Sequence, residues 1–199
     1  MADKDYKESD FWAQKAKKEG YPARSVYKLE ELQKAYKIIP GGGRIMDVGA
    51  APGSWTLYVA RNILKGKGQV VSVDLKDLSL CPLPQNVVTL KGDAFSKENL
   101  EKLKSFGEYD SIISDAAPST SGNKAVDAAR SAELVNSVIT LAGECLKKNS
   151  SLVVKIFQGE DFQNTVNRMK GMFKKVVIHK PKACRTSSVE VYIVGLNLI

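Results

Sequence analysis

The sequence predicts an α/β fold: a mostly parallel, seven-stranded sheet with helices on both faces, finished by an antiparallel C-terminal hairpin. Three observations point to it. Beyond Arg44, short apolar runs alternate with longer amphipathic stretches, the order that builds parallel crossovers. The last two apolar runs, 174–179 and 189–197, are separated by only about ten residues, too few for a helical crossover, so they pair antiparallel. The length of 199 residues suits one α/β domain and is too short for two full-sized cores.

In chain order, 10–19 and 24–37 read as helices, separated by the breakers Gly20 and Pro22. In the second, Val26, Leu29, Leu32 and Ala35/Tyr36 recur at helical spacing, while Lys28, Glu30, Glu31 and Lys34 lie off that stripe. Pro40-Gly41-Gly42-Gly43 then punctuates the chain. Strands are expected at 44–48, 69–74, 86–90, 109–114, 150–157, 174–179 and 189–197, and helices near 54–64, 97–105, 125–148 and 160–172. The single domain 1–199 thus divides into a helical extension, 1–43, and a core, 44–199.

Composition narrows the function. Hydrophobic residues at 43% and charged residues at 26% exclude wholesale disorder. No apolar run approaches the ~18–20 residues of a membrane span. The start, Met-Ala-Asp-Lys-Asp-Tyr, has neither the apolar core of a signal peptide nor the acid-poor character of a transit peptide. Cys81, Cys145 and Cys184 are widely spaced and His179 is the sole histidine, so a zinc site is not expected and a reducing cytoplasm fits. The net charge of +8 is uneven: +2 in 1–43, +5 in 155–190 and +1 elsewhere. Such an excess suits either a solvated surface or an anionic partner.

The sharpest segment is Ile45-Met46-Asp47-Val48-Gly49-Ala50-Ala51-Pro52-Gly53-Ser54-Trp55. An apolar strand runs into a loop of small residues, followed directly by a helix. Small residues admit close approach of a ligand, and open α/β sheets bind ligands at the carboxyl ends of their strands. The loop is neither a Walker A sequence nor G-x-G-x-x-G, so neither a triphosphate nor a dinucleotide has a dedicated seat. Asp74 ends the second strand, 21 residues beyond Gly53, where a carboxylate can accept from a ribose diol. Asp93 follows the third strand, where it could accept from an adenine amino group, and Asp115 ends the fourth. Each acid singly could be a helix cap or a loop residue. Together they suggest a nucleoside without a pyrophosphate, and S-adenosylmethionine fits.

Lys155 lies inside the apolar run Ser151–Phe157, where a lysine is costly unless paired, and Glu190 opens the last strand. A structural ion pair is the alternative reading of these two residues.

Five segments carry a resemblance that spans nearly the whole chain. They are Arg24-Ser25-Val26-Tyr27-Lys28-Leu29, Asp47-Val48-Gly49-Ala50-Ala51-Pro52-Gly53, Asp115-Ala116-Ala117-Pro118, Val154-Lys155-Ile156-Phe157-Gln158-Gly159 and Ser188-Val189-Glu190-Val191-Tyr192. In order and spacing the sequence resembles the FtsJ/RrmJ family of ribosomal RNA 2′-O-ribose methyltransferases. The resemblance implies a Rossmann-like class I methyltransferase fold and S-adenosylmethionine as cofactor. It implies a catalytic tetrad at Lys28, Asp115, Lys155 and Glu190, with Lys155 the proton acceptor, and cofactor contacts at Gly53, Trp55, Asp74, Asp93 and Asp115. Its bacterial branch implies a uridine of 23S ribosomal RNA, free or in the large subunit, as substrate, a cytoplasmic location and a monomer. Ser54 departs from the family, which often has a second glycine there.

Two mechanistic readings of Lys155 remain open. A base must be neutral, yet nearby carboxylates favour the charged form, while burial and the like charge of Lys28 oppose it. A cationic Lys155 that steers the hydroxyl and stabilises a developing alkoxide is the rival account. Other functions leave different marks. Exocyclic-amine methylation generally uses an Asp/Asn-Pro-Pro-aromatic turn, cytosine C5 methylation needs a cysteine near the fourth strand, and a metal-dependent enzyme needs clustered ligands. Methylation of transfer RNA, or RNA binding without catalysis on the same fold, are the remaining alternatives. Both basic regions adjoin the expected site in sequence. A shared RNA surface requires Lys15, Lys17, Lys18 and Arg24 to lie on the same face as Lys174, Lys175, Lys180, Lys182 and Arg185.

Overall fold

The computed structural model describes residues 11–185 and 188–199. Its strands are β1 (Arg44–Val48), β2 (Gln69–Asp74), β3 (Val87–Lys91), β4 (Tyr109–Ser114), β5 (Leu146–Phe157), β6 (Phe173–His179) and β7 (Glu190–Leu198). They form one sheet in the order β3-β2-β1-β4-β5-β7-β6. β1 to β5 pair in parallel, and β7 runs antiparallel between β5 and β6. The order reverses beside β1, so the loops after β1 and β4 open a crevice at the carboxyl edge.

Around the sheet lie α1 (11–18), α2 (Val26–Tyr36), α3 (Ser54–Tyr58), α4 (Lys97–Ser105), α5 (Lys124–Cys145) and α6 (Phe162–Lys170). Alternation along the strands divides the core. Ile45, Val70, Ile113, Val153 and Val194 face the side covered by Leu29 and Leu32 of α2. Met46, Val71, Ile112 and Leu152 face the other, against Val135 and Ile139 of α5. The helix α2 therefore belongs to the core's cover, and it ends where Lys37 turns left-handed at φ 53°. Helix α5 begins at Asn123, whose side chain accepts from Ala125 N.

Two elements differ in kind from the sequence expectation. The helix expected over 54–64 is α-helical only through Tyr58 and continues as a π-helix over Val59–Leu64, with Lys65 N bonded to Ala60 O. The helix expected over 125–148 stops at Cys145, and β5 starts at Leu146 rather than at 150. Leu146 pairs with Tyr109, Asn149 then takes φ 61°, and the register resumes with Ser151 beside Ser111. The intervening Lys147-Lys148-Asn149 has no apolar alternation to mark it as strand, so it reads as a helix end. Other boundaries move by one or two residues, and the expected helix start at residue 10 lies outside the described residues.

Candidate active site

The loop after β1 is held from three sides. Gly49 N and Ala50 N donate to Val73 O, and Ala51 N donates to Asp74 Oδ2 at 2.9 Å. Gly49 has φ 72°, and a Cβ there would fall 2.4 Å from Ala116 Cβ, so glycine alone lets the β1 and β4 loops touch. Gly53, with φ 110°, is covered by Leu80. Ser54, the departure from the family pattern, is 2% exposed and accepts Ala23 N at 2.7 Å. Its hydroxyl ties the segment before α2 to the loop. Trp55 donates its indole N–H to Ser25 O at 2.8 Å and lines a small recess with Asp47, Gly49 and Asp115.

The four residues expected to act together do meet. Lys28 Nζ lies 2.5 Å from Glu190 Oε1, and Lys155 Nζ lies 3.0 Å from Asp115 Oδ1. Lys155 also donates to the Asp115 carbonyl at 2.5 Å. The sheet explains the convergence. Ser114, just before Asp115, is beside Val154, just before Lys155, and Lys155 is paired with Tyr192 on β7. Glu190 is two residues from Tyr192 and so shares its face. Lys28 enters from α2, packed across that face.

In the Lys28–Glu190 pair, burial and charge pull in opposite directions. Burial works to lower Lys28, but the Asp115 and Glu190 carboxylates outweigh it and hold the ammonium above its usual range. Burial also works to raise Glu190, and Lys28, with Lys155, holds it below the usual carboxylate range. Both stay charged at neutral pH.

Three further groups join the site without having been assigned to it from the sequence, and a fourth, His179, braces the helix that carries Lys28. Tyr192 is fully buried and its hydroxyl lies 2.6 Å from Asp115 Oδ1 and 3.3 Å from Glu190 Oε1. Burial, then those two carboxylates, push its phenol well above the ordinary value. Its period-two relation to Glu190 is the signal that could have found it. Cys184 Sγ lies 3.2 Å from Glu190 Oε1, and burial with Glu190 pushes its thiol up to about 12, so it acts as a neutral donor. Asp47 is 1% exposed; Oδ2 accepts from Thr56 Oγ1 at 2.6 Å and Oδ1 has no partner. Burial, with the Asp115 and Asp74 charges adding to it, pushes Asp47 up to about 7. Lastly, His179 bridges Tyr36 (2.9 Å) and Glu31 (3.0 Å), and Glu31 also accepts Lys182 N, clasping α2 to the end of β6 and the loop beyond.

The expected cofactor acids are placed unequally. Asp74 holds the loop through Ala51 N and accepts Lys76 N with its other oxygen. Each oxygen keeps a second acceptor site for a diol. Asp93 is exposed, accepts Phe95 N, and follows β3, two strands from β1.

Residues 21–198, which include the loop, both lysines and both acids, match the model of the FtsJ-like methyltransferases. The chain belongs to that family. It is 47% identical over 197 residues to the ribosomal RNA large subunit methyltransferase E of Treponema denticola, covering 99% of this chain and 98% of that one. Identity to the protein of the same name from Syntrophobacter fumaroxidans is 43%, over 97% and 98% of the two chains. Among solved structures, a ribosomal RNA methyltransferase from Plasmodium falciparum superposes with a TM-score of 0.79 at 31% identity, over 89% of this chain and 98% of that one.

S-adenosylmethionine is the methyl donor of an FtsJ-like methyltransferase, and the residues present suit it. It carries an ammonium and a sulfonium, and the crevice holds three carboxylates, Asp47, Asp74 and Asp115, one with an unpartnered buried oxygen.

The two basic regions meet only in part. Arg24 donates to Ala183 O at 3.4 Å and Glu31 holds Lys182, so the helical extension lies against the loop carrying Lys180, Lys182 and Arg185. Lys174 and Lys175 sit at the far end of the hairpin. Lys175 is opposite Leu196, six residues along β7 from Glu190, or about 20 Å. Those two lysines are therefore set apart from Lys180, Lys182 and Arg185 along the hairpin. Among the described residues no helix is long and apolar enough to cross a membrane.

Proposed function

We propose that this FtsJ-like methyltransferase transfers the methyl group of S-adenosylmethionine to the 2′-hydroxyl of a uridine ribose in 23S ribosomal RNA. The observation that carries it is the joining of Lys28, Glu190, Asp115 and Lys155 through Tyr192, beside a loop built for a cationic nucleoside. The names of the relatives support large-subunit ribosomal RNA as the substrate class.

The cofactor supplies an electrophilic methyl on a sulfonium, so the chain must align the ribose oxygen with it and accept one proton. When bound, S-adenosylmethionine would give its methyl to that oxygen and leave as a neutral thioether, so the chain's own task is to take up the hydroxyl proton. Lys155 accepts that proton as a neutral amine. The resulting ammonium is held by Asp115 Oδ1 and the Asp115 carbonyl, which already receive its N–H groups. Lys28, fixed in charge by Glu190, presents a permanent cation to the developing oxyanion. Tyr192, Cys184 and Glu190 hold that pair in place. Asp47, through its unpartnered oxygen, and Asp74, through its remaining acceptor sites, would hold the cofactor, with Asp93 accepting from its adenine amino group and Gly53 and Trp55 contributing to its seat. The helical extension, residues 1–43, guides the RNA, and the protein works as a monomer in the cytoplasm.

Large subunits from a strain lacking the orthologous gene, incubated with methyl-labelled S-adenosylmethionine, test the reading. Label on one uridine 2′-oxygen of 23S RNA is expected. Label confined to transfer RNA would move the substrate, and RNA binding without any transfer would make the chain a silent binding module.

A further inference from the structure

Helix α1 has two contrasting stripes. Trp12 and Ala16 face the body: Ala16 is buried and Trp12 lies 4.9 Å from the Tyr27 ring, while the exposed Glu19 accepts from Tyr27 Oη and lies 3.9 Å from Lys15 Nζ. Phe11, Lys15 and Lys18 recur at i, i+4 and i+7 and form the neighbouring stripe. Phe11 is 58% exposed although it is one of the largest apolar side chains in the protein. Single exposed aromatics are common on surfaces, so exposure alone says little. Here the ring makes a T-shaped contact with Trp12, at 5.3 Å and 73°, and the rest of it is open to solvent. Lys15 Nζ lies over both Tyr27 (4.5 Å) and Trp12 (5.4 Å), and Lys17 and Lys18 are exposed. Two ring-to-ring steps lead from Phe11 to Tyr27, whose neighbour in the chain is Lys28 of the active site.

We propose that Phe11 is a stacking shelf for an unpaired nucleobase that flanks the target nucleotide, with the α1 lysines receiving the adjoining phosphates. Cations beside an exposed aromatic ring are the combination that single-stranded nucleic acid requires, since every base has a π-face and every linkage a charge. A protein partner of apolar surface would not need the lysines. The proposal rests on RNA being the substrate and names where the strand runs once it leaves the catalytic pocket.

The test compares Phe11→Ala, Phe11→Leu and Phe11→Tyr in methyl transfer to large subunits lacking the modification. Phe11→Ala and Phe11→Leu are expected to raise KM for subunits about tenfold, with kcat and S-adenosylmethionine affinity unchanged. Phe11→Tyr is expected to stay within about twofold of wild type, because it restores stacking. A Phe11→Leu variant that behaves as wild type means an apolar protein contact, and an unchanged Phe11→Ala means no contact; either overturns the shelf. If wild type transfers no methyl to subunits, the proposed function fails first. Binding of single-stranded oligouridylate then decides the shelf alone: about tenfold weaker binding by Phe11→Ala and Phe11→Leu upholds it, and equal binding overturns it.

Discussion

Tyr192 donates its hydroxyl to Asp115 Oδ1 at 2.6 Å, with Glu190 Oε1 only 3.3 Å away, so one buried proton joins the two lysine–carboxylate pairs. Removing that hydroxyl leaves each acid its lysine but breaks the link between the pairs. Tyr192→Phe is expected to lower stability by about 1–2 kcal/mol in urea unfolding and single-turnover methyl transfer by roughly tenfold. The ring still packs on Trp55, whose centroid lies 5.8 Å away, so the fold survives. Wild-type rate and stability together would remove Tyr192 from the site.

Lys155 separates two mechanisms. As the proton acceptor it must pass through a neutral form, which arginine cannot do at any working pH. Lys155→Ala is therefore expected to abolish transfer while leaving cofactor affinity near wild type, and Lys155→Arg to be equally inactive. Appreciable single-turnover activity in Lys155→Arg would assign Lys155 to electrostatic steering instead. Asp115→Ala, by contrast, should weaken both cofactor binding and rate, because that residue lines the recess and also holds Lys155.

Asp47 predicts a pH effect of definite sign. In the folded chain it stays protonated up to about 7, whereas an unfolded aspartate ionises near about 4. Between those values the folded state binds more protons, so this residue's contribution to stability falls as pH rises through that window. Asp47→Asn keeps an acceptor for Thr56 and is expected to stabilise the apo protein by about 1–3 kcal/mol at pH 8 and by much less at pH 4. It should also flatten the rise in S-adenosylmethionine affinity that ionisation of Asp47 produces between pH 6 and 7.5, read by calorimetry. An equal stability difference at both pH values would mean that Asp47 is ionised throughout.

Legibility in the sequence followed how local each feature is. Strand positions were readable because Ile45/Met46 and Val70/Val71 alternate strictly between two cores. The π-helical stretch over Val59–Leu64 was not, since a bond five residues back leaves no mark in composition. Lys155 and Glu190 were legible as charges set among β-formers and Asp115 as an acid at a strand end, whereas Lys28, off the apolar stripe of its helix, was marked by family spacing alone. Tyr192 was hidden as one more β-former in an apolar strand, and Asp47 as an ordinary strand acid, because burial and a missing partner are properties of packing. A shared RNA surface requires both basic regions on one face, and the strand direction of β6 carries Lys174 and Lys175 away from Lys180.

Ser54 makes a contact that a glycine at the same position could not make. Its hydroxyl accepts Ala23 N between α1 and α2, in a setting with almost no solvent. Ser54→Ala strands that N–H and is expected to lower stability by about 1–2 kcal/mol in thermal or urea unfolding. Because the clip joins the helical extension to the cofactor loop, the variant should also raise KM for RNA more than it lowers kcat. An unaltered unfolding midpoint would show that water replaces the hydroxyl.

The division of the basic surface makes the last prediction quantitative. Phosphate contacts release counterions, so the slope of log KM for RNA against log salt counts the cations engaged. Lys182 and Arg185 lie on the loop clasped to α2, whereas Lys174 and Lys175 sit about 20 Å along the hairpin. Replacing Lys182 and Arg185 by glutamine should weaken subunit binding several-fold at 0.1 M salt and reduce the slope by roughly one to two. The same change at Lys174 and Lys175 should leave both nearly unaltered, and kcat at saturating RNA should hold in either variant. Equal losses from the two pairs would mean that the RNA wraps the hairpin from end to end, and the surface would then have to be redrawn to include the edge strand β6.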